Sequence, residues 1–243
     1  IGGTFTDIVL SGCDGSIHTK KTSSTPEDYG QGILHGLEEM FTEHGISPAE
    51  IDYLVHATTV ASNAVLEDKG AKTGLITTEG FRDVLEFRRI RIPELFNLDY
   101  IKPKPLIQRQ YRLEVRERLG PDGTVRIPLD ESTVMAVAER LRVAEVESVA
   151  ICLLHSYANP DHERRVAELI GKILPSSVFI SCSSEILPEI REYERTSTTV
   201  VNAFLGPVVS RYLDSLTKRL QSAGINSPLH IMQLSGGQMS VDS

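Results

Sequence analysis

Short apolar runs alternate with stretches of helical period along most of this chain, and that alternation limits the fold more than any other feature. Residues 5–10 read as a strand, 12–16 as a turn and 17–22 as a partner strand. Thr25-Pro26-Glu27-Asp28 is a helix start, because Thr caps, Pro suits the first turn and acids favour the positive end of the dipole. Ile33, Leu34, Leu37, Met40 and Phe41 then recur at helical spacing, and Gly45 can end that helix. A strand over 54–60, a helix over 61–68, a strand over 72–77 and a helical turn near 81–85 follow. The order predicts an α/β fold, a mixed sheet with helices on both faces.

The stretch 86–128 differs. It carries Pro93, Pro103 and Pro105, then an alternating run from Tyr111, and turns at Pro121-Asp122-Gly123. It reads as an inserted or second-domain segment between a first part, 1–85, and a further α/β part, 129–243. In the last part Asp130 caps a helix carrying Val134, Val137, Ala138 and Leu141, and 148–154 is a buried strand. Asn159-Pro160 opens a helix with Val166, Leu169, Ile170 and Ile173 on one face, and 178–182 is a strand. An apolar stripe (Val201, Leu205, Val208, Tyr212, Leu216, Leu220) predicts long helix within 188–224, kinked or broken at Gly206-Pro207. A strand over 229–234 runs into Gly236-Gly237.

Composition narrows the function classes. A formal net charge of −8 argues against a general nucleic-acid or anionic-membrane surface. Local phosphate sites stay open, because backbone amides need no excess of basic side chains. No apolar run approaches the roughly 18 residues of a membrane helix. Cys13, Cys152 and Cys182 lack metal-site or redox spacing; the last two lie in apolar runs and read as buried thiols, which fits a cytoplasmic protein. The chain opens at Ile1 without Met, so the sequence is expected to be a fragment of a larger protein.

Five stretches have chemical potential. In Ile1-Gly2-Gly3-Thr4-Phe5-Thr6-Asp7 the glycines allow close backbone approach, and the amides with the Thr4 and Thr6 hydroxyls suit phosphate oxygens. Asp7 offers a hard oxygen for Mg²⁺. A plain turn and strand is the blander account of the same residues. In 56–64 a strand ends in Thr58 and Thr59 and a helix begins, the end of a strand where α/β sheets bind ligands. Simple capping is the alternative there, and His56 reads as structural. His155, His162 and Glu163 look like metal ligands, but Asn159-Pro160-Asp161 is accounted for by helix initiation. The charges of 189–195 read as a solvated face with ion pairs, while Thr196, Thr198 and Thr199 are poor helix formers whose hydroxyls are expected to be used. Ser235-Gly236-Gly237 is too short to interpret unaided.

Taken in order, these stretches resemble the hydantoinase A/5-oxoprolinase family. Residues 1–7 are similar to its first phosphate loop, of the actin and sugar-kinase type, and 56–64 to its His-Gly-Thr-Thr-x-Ala-Thr-Asn-Ala segment. Gly80-Phe81-Arg82-Asp83-Val84-Leu85 with Arg89 resembles a further family stretch, and Glu117-Arg118, 155–163, 192–203 and 231–240 match in order. Ala57 and Arg88 stand where Gly is common, and Leu234-Ser235 replaces the commoner Ser-Asn/Asp before the glycine pair.

The resemblance implies an actin-like ATPase (ribonuclease H-like) lobe that hydrolyses a cyclic amide with ATP and Mg²⁺, together with a hydantoinase B-type subunit or domain, in an oligomer. It implies that Gly2, Gly3, Thr4, Thr6, Asn63, Gly236 and Gly237 contact nucleotide, that Asp7 serves the metal, and that Asp7, Thr58 and Thr59 are catalytic. It also implies that Arg89 holds a substrate oxyanion. An ATP-dependent ketone carboxylase subunit and a non-catalytic nucleotide-binding or assembly module are the alternatives. The fragment alone is expected to turn over little.

Overall fold

A computed structural model describes residues 1–2, 4–25, 29–90, 96–233 and 235–241. In chain order its main elements are β1 (Phe5–Ser11), β2 (Ile17–Ser23), α1 (Tyr29–His44), β3 (Leu54–His56), α2 (Val60–Leu66), β4 (Thr73–Thr78) and α3 (Val84–Phe87). Then come β5 (Arg112–Val115), β6 (Arg118–Leu119), β7 (Val125–Ile127), α4 (Glu131–Val143), β8 (Ser148–Cys152), α5 (Asp161–Gly171) and β9 (Phe179–Cys182). The chain ends with α6 (Ser183–Ile186), α7 (Glu192–Ser222), β10 (Leu229–Met232) and β11 (Gln238–Ser240). The α/β class with mixed sheets is as expected.

Contacts divide the chain into two units, Ile1–Lys69 with Val208–Ser243, and Gly70–Pro207. These boundaries differ from those at 85 and 128 drawn from sequence. Strand β5, within 86–128, pairs in parallel with β4, so that stretch supplies a strand of the second unit's sheet. Apolar runs show that a strand is buried but not which sheet it joins.

In the first unit β1 and β2 form an antiparallel hairpin from Phe5↔Ser23 to Ser11↔Ile17. Its inward residues, Thr6 and Ile8, alternate with exposed Phe5, Asp7 and Val9. Helix α1 lies against the hairpin where Gly36 has no side chain; a Cβ there would stand 2.5 Å from Ile8 Cδ1. The Thr25-Pro26-Glu27-Asp28 start falls mostly outside the described residues, but Thr25 Oγ1 accepts from Gly32 N at 3.2 Å. Gly45, at φ 67°, follows the helix as expected. Ile33, Leu37 and Phe41 pack with Leu216, Leu220, Ile225 and Leu229. A second sheet orders β11-β10-β3, with β10 parallel to β3 and antiparallel to β11. Strand β3 is shorter than the expected 54–60 because Thr58 Oγ1 accepts from Val60 N at 3.2 Å and turns the chain into α2.

The second unit is built on a four-stranded parallel sheet ordered β5-β4-β8-β9. Both faces are covered, so β4 and β8 are buried at every position. Ile76, Val149 and Ile151 face α4 and α5, while Leu75, Ala150 and Cys152 face Val200 and Ala203 of α7. Asp130 caps α4 by accepting from Ser132 N at 3.0 Å, and Val134, Val137, Ala138 and Leu141 form its buried stripe. Fully burying a side chain of this size contributes about 1.5–3 kcal/mol.

Helix α7 runs through Pro207 without the break that was one expectation there. Gly206 serves close packing: a Cβ there would lie 2.4 Å from the Phe179 ring. In its first half the buried residues are Arg195, Thr196, Thr199, Val200, Ala203 and Phe204, with Val201 and Leu205 half-buried. The most buried face there passes through Val200, Ala203 and Phe204, beside the Val201–Leu205 stripe drawn from sequence, whose later members Leu216 and Leu220 are buried.

Candidate functional site

Parallel pairing of Ile231 with His56 puts the carboxyl ends of β3 and β10 at one edge of the first unit's small sheet. That is the edge at which α/β sheets present ligand sites. Three loops gather there. Leaving β3, Ala57 accepts from Ile1 N at 2.6 Å, and Ile1 O accepts from Thr59 N at 3.2 Å and from Thr59 Oγ1 at 3.4 Å. Asn63 Nδ2 donates to Thr59 Oγ1 at 3.3 Å. Leaving β10, Gln233 N donates to Gly237 O at 2.8 Å and Gly236 N to Gln233 O at 3.0 Å. Gly236 sits at φ 84°, a conformation that favours glycine in so tight a turn.

The glycine loop and the Thr58-Thr59 segment are thus neighbours, yet the expected donors have divided roles. Gly2 N donates to Phe5 O at 3.0 Å, and Gly2 O accepts from Ser24 Oγ at 2.8 Å. Thr6 is buried, with Oγ1 3.0 Å from the same Ser24 hydroxyl. Both residues therefore hold the loop's shape, a role that spacing alone did not distinguish from phosphate contact. Gly3 lies outside the described residues. Thr4 and Thr59 are exposed and Thr58 is half-buried. Asp7 is exposed on the opposite face from Thr6, 3.5 Å from Lys21 Nζ across the hairpin. Ser24 is the residue that sequence reasoning missed, for it belongs to no motif.

His56 is structural in its contacts. Its Nε2 lies 2.7 Å from Tyr212 Oη, and burial pushes its pKa down to about 4, so the ring is neutral at ordinary pH.

Arg89 belongs to the second unit, where it pairs with Glu194. The two line a cleft of about 550 Å³ together with Phe81, Phe87, Arg88 and Arg191. Arg88 sits at φ 55°, ψ −135°, and Arg191 at φ 85°. Such backbone conformations cost a non-glycine residue on the order of 1–3 kcal/mol.

The carboxyl ends of this unit's strands are closed by buried polar groups. Past β8, Leu154 N donates to Thr78 Oγ1 at 2.9 Å, and Thr78 in turn bonds Glu117. Glu117 Oε2 is 2.8 Å from His162 Nδ1. Glu163, fully buried, accepts from Leu153 N and Ser184 N at 2.8 Å and from Ser183 Oγ at 2.6 Å. His162 and Glu163 are therefore network members, and no group of three or more metal-ligating side chains occurs among the described residues. Asn159 Oδ1 accepts from Asp161 N at 3.0 Å, so this segment does initiate α5.

The solvated face expected over 189–195 needs correction at Arg195. That side chain is buried, donates to Leu153 O at 2.5 Å and lies 5.4 Å from the Tyr157 ring centroid. Two of the three threonine hydroxyls are used, for Thr196 meets Cys152 Sγ at 3.1 Å and Thr199 bonds Arg195 O at 2.8 Å, while Thr198 is exposed. Cys152 and Cys182 are buried free thiols, and burial pushes the Cys182 thiol up to about 12.

Comparison with known proteins gives these loops a context. Residues 1–174 match the family described as hydantoinase/oxoprolinase N-terminal region, and residues 195–243 match hydantoinase/oxoprolinase. The chain is 38% identical to caprolactamase subunit alpha of Pseudomonas jessenii, over 97% of this chain and 35% of that protein. It is 31% identical to 5-oxoprolinase of Saccharomyces cerevisiae, over 97% of this chain and 21% of that protein. The crystal structure of ATP-dependent caprolactamase from Pseudomonas jessenii superposes with a TM-score of 0.89 at 37% identity, over 98% of this chain and 36% of that one. A nucleotide-free acetone carboxylase structure superposes with a TM-score of 0.90 at 28% identity, over the whole chain and 36% of that one. The chain thus spans about a third or less of the length of the relatives it matches. It belongs to the hydantoinase/oxoprolinase family.

Proposed function

We propose that the whole protein carrying this chain hydrolyses a cyclic amide at the expense of ATP, as the ATP-using subunit. One observation carries the reading: the glycine loop and Thr59 are joined through Ile1 at the carboxyl edge of β3 and β10. The caprolactamase and 5-oxoprolinase relatives support the cyclic-amide class.

The residues present fit a Mg²⁺-bound nucleotide in part. Asp7 offers an exposed carboxylate, a hard ligand suited to Mg²⁺ or its water shell. Thr4 and Thr59 offer exposed hydroxyls, and Thr58, whose oxygen already accepts from Val60 N, keeps its proton to donate. Asn63 orients Thr59, and the Gly236-Gly237 turn lets backbone come close to a bound group. Gly2 and Thr6 act one step back, with Ser24, by fixing the loop. Gly3 remains a phosphate contact on its motif alone.

When bound, ATP would supply a phosphoryl group that activates an inert amide at its oxygen, so that water can add to the carbon and the ring C–N bond can break. The chain's part would then be to align the terminal phosphates through Thr4, Thr58 and Thr59 and to hold, through Asp7, a cation that would offset their charge. Arg89 holds a substrate oxyanion. A hydantoinase B-type partner completes the hydrolysis, and relatives named as subunits support a multi-subunit assembly.

The test is phosphate release by the whole protein with a panel of lactams. Stimulation by at least one lactam is expected, with about hundredfold loss in Asp7→Ala; no stimulation across the panel would end the proposal. The acetone carboxylase likeness favours a second reading, ATP-dependent carboxylation of a ketone. Bicarbonate-dependent turnover separates that reading from the first.

A further inference from the structure

The cleft in the second unit combines features that the buried network nearby does not share. Three guanidinium-bearing residues line it, Arg88, Arg89 and Arg191, with the rings of Phe81 and Phe87. Arg89 is engaged by Glu194, and Arg88 Nη2 donates to Pro103 O at 3.1 Å. Arg191 is exposed and its guanidinium has no hydrogen bond or ion pair among the described residues.

The backbone supplies an independent observation. Arg88 at φ 55°, ψ −135° and Arg191 at φ 85° both occupy conformations that suit glycine and disfavour a branched or long side chain. Each arginine carries a backbone cost there, and both bring a guanidinium to one cleft.

We propose that this cleft binds the oxyanion of a small organic anion, a carboxylate or a phosphoryl group. Arg191 is the open donor and Arg88 its neighbour, and the apolar body of the ligand lies against Phe81 and Phe87. Guanidinium groups bind both anions in a forked geometry, and aromatic walls favour a flat or cyclic body over a free inorganic ion. Binding releases Arg89 from Glu194 or recruits it while still paired; in either case three positive groups face two carboxylates, Glu192 and Glu194, and the balance favours an anion. The inference rests on the proposed function only in extending the substrate role given to Arg89.

The experiment is calorimetric titration of the whole protein with cyclopentanecarboxylate, with its neutral amide, and with inorganic phosphate. The carboxylate is expected to bind and the amide not, and Arg191→Gln is expected to weaken binding about tenfold, the loss of one charge-assisted hydrogen bond. Arg88→Gly gives the sharper arm: its thermal midpoint should rise while its anion affinity falls, a pairing that a purely structural arginine would not produce. If phosphate binds tightly and with the same dependence on Arg191 while the carboxylate does not, the phosphoryl source is selected. Binding of neither anion, or binding indifferent to Arg191→Gln and Arg88→Gly, overturns the proposal. Lactam-stimulated phosphate release is followed in parallel. Intact turnover without Arg191-dependent binding sinks the cleft alone, and Arg191-dependent binding without turnover sinks only the lactam reading.

Discussion

At the carboxyl ends of β3 and β10 the chain leaves through loops whose Thr4 and Thr59 hydroxyls stay exposed, whereas beyond β4, β8 and β9 it folds Glu117, His162 and Glu163 inward. Both edges are places where α/β sheets can receive a ligand. The first is held by backbone bonds between Ile1, Ala57 and Thr59 and by the Thr59 hydroxyl on Ile1 O, and its Thr4 and Thr59 side chains still face solvent. The second is filled by the chain's own side chains, which take the hydrogen bonds a ligand would otherwise offer. The lesson is that position on a sheet proposes a site, and satisfaction of the local donors decides whether it is vacant for chemistry.

The largest test of that contrast is Glu163→Ala. It leaves Leu153 N, Ser184 N and the Ser183 hydroxyl without their acceptor in a buried place, and is expected to destabilise by about 3–5 kcal/mol in urea unfolding. Thr59→Ala at the open edge should cost under about 0.5 kcal/mol, as exposed substitutions do, while lowering phosphate release. Equal losses at both sites would erase the distinction between a closed and an open edge.

His56 gives an effect of intermediate size. Its folded pKa, near 4, lies below the unfolded value of about 6.5, so the unfolded chain binds the proton first as pH falls. Stability is full above about pH 6.5, declines toward pH 4 and levels below, a loss on the order of 2–3 kcal/mol. Urea midpoints from pH 7 to 4 should show this slope in the natural protein and a flatter one in His56→Asn. A slope unchanged by the substitution would mean that His56 is not the group that titrates. Smallest is Asp130→Ala, which removes the α4 cap and should cost about 1 kcal/mol in the same assay.

Much of this architecture was legible because its signals are local. Alternation marked the β1–β2 hairpin, the Asp130 cap and the Val134–Val137–Leu141 spacing marked α4, and Asn159 marked the start of α5. Sheet membership was not legible, since the all-buried pattern of β4 suits any covered parallel sheet. Nor was the burial of Arg195, which depends on Leu153 O and the Tyr157 ring some forty residues away in sequence. At the candidate site the motif located the loop and its neighbour, but it could not divide shape-holding residues, Gly2 and Thr6, from exposed ones, Thr4 and Asp7. That division depends on Ser24, which contributes a hydroxyl from outside every recognisable pattern.

Gly36 adds a constraint of spacing. Helix α1 rides on the hairpin at a separation set by a missing methyl group, with Ile8 and Thr22 filling the space. The hairpin has no third strand among the described residues to stiffen it, and a two-stranded ribbon is marginal by itself. Its tilt is therefore dictated from beneath, and with it the aim of the loop that β1 carries at its start. Residue 36 works as a shim: thickening it would swing the mouth of the glycine loop without altering any group that meets a ligand.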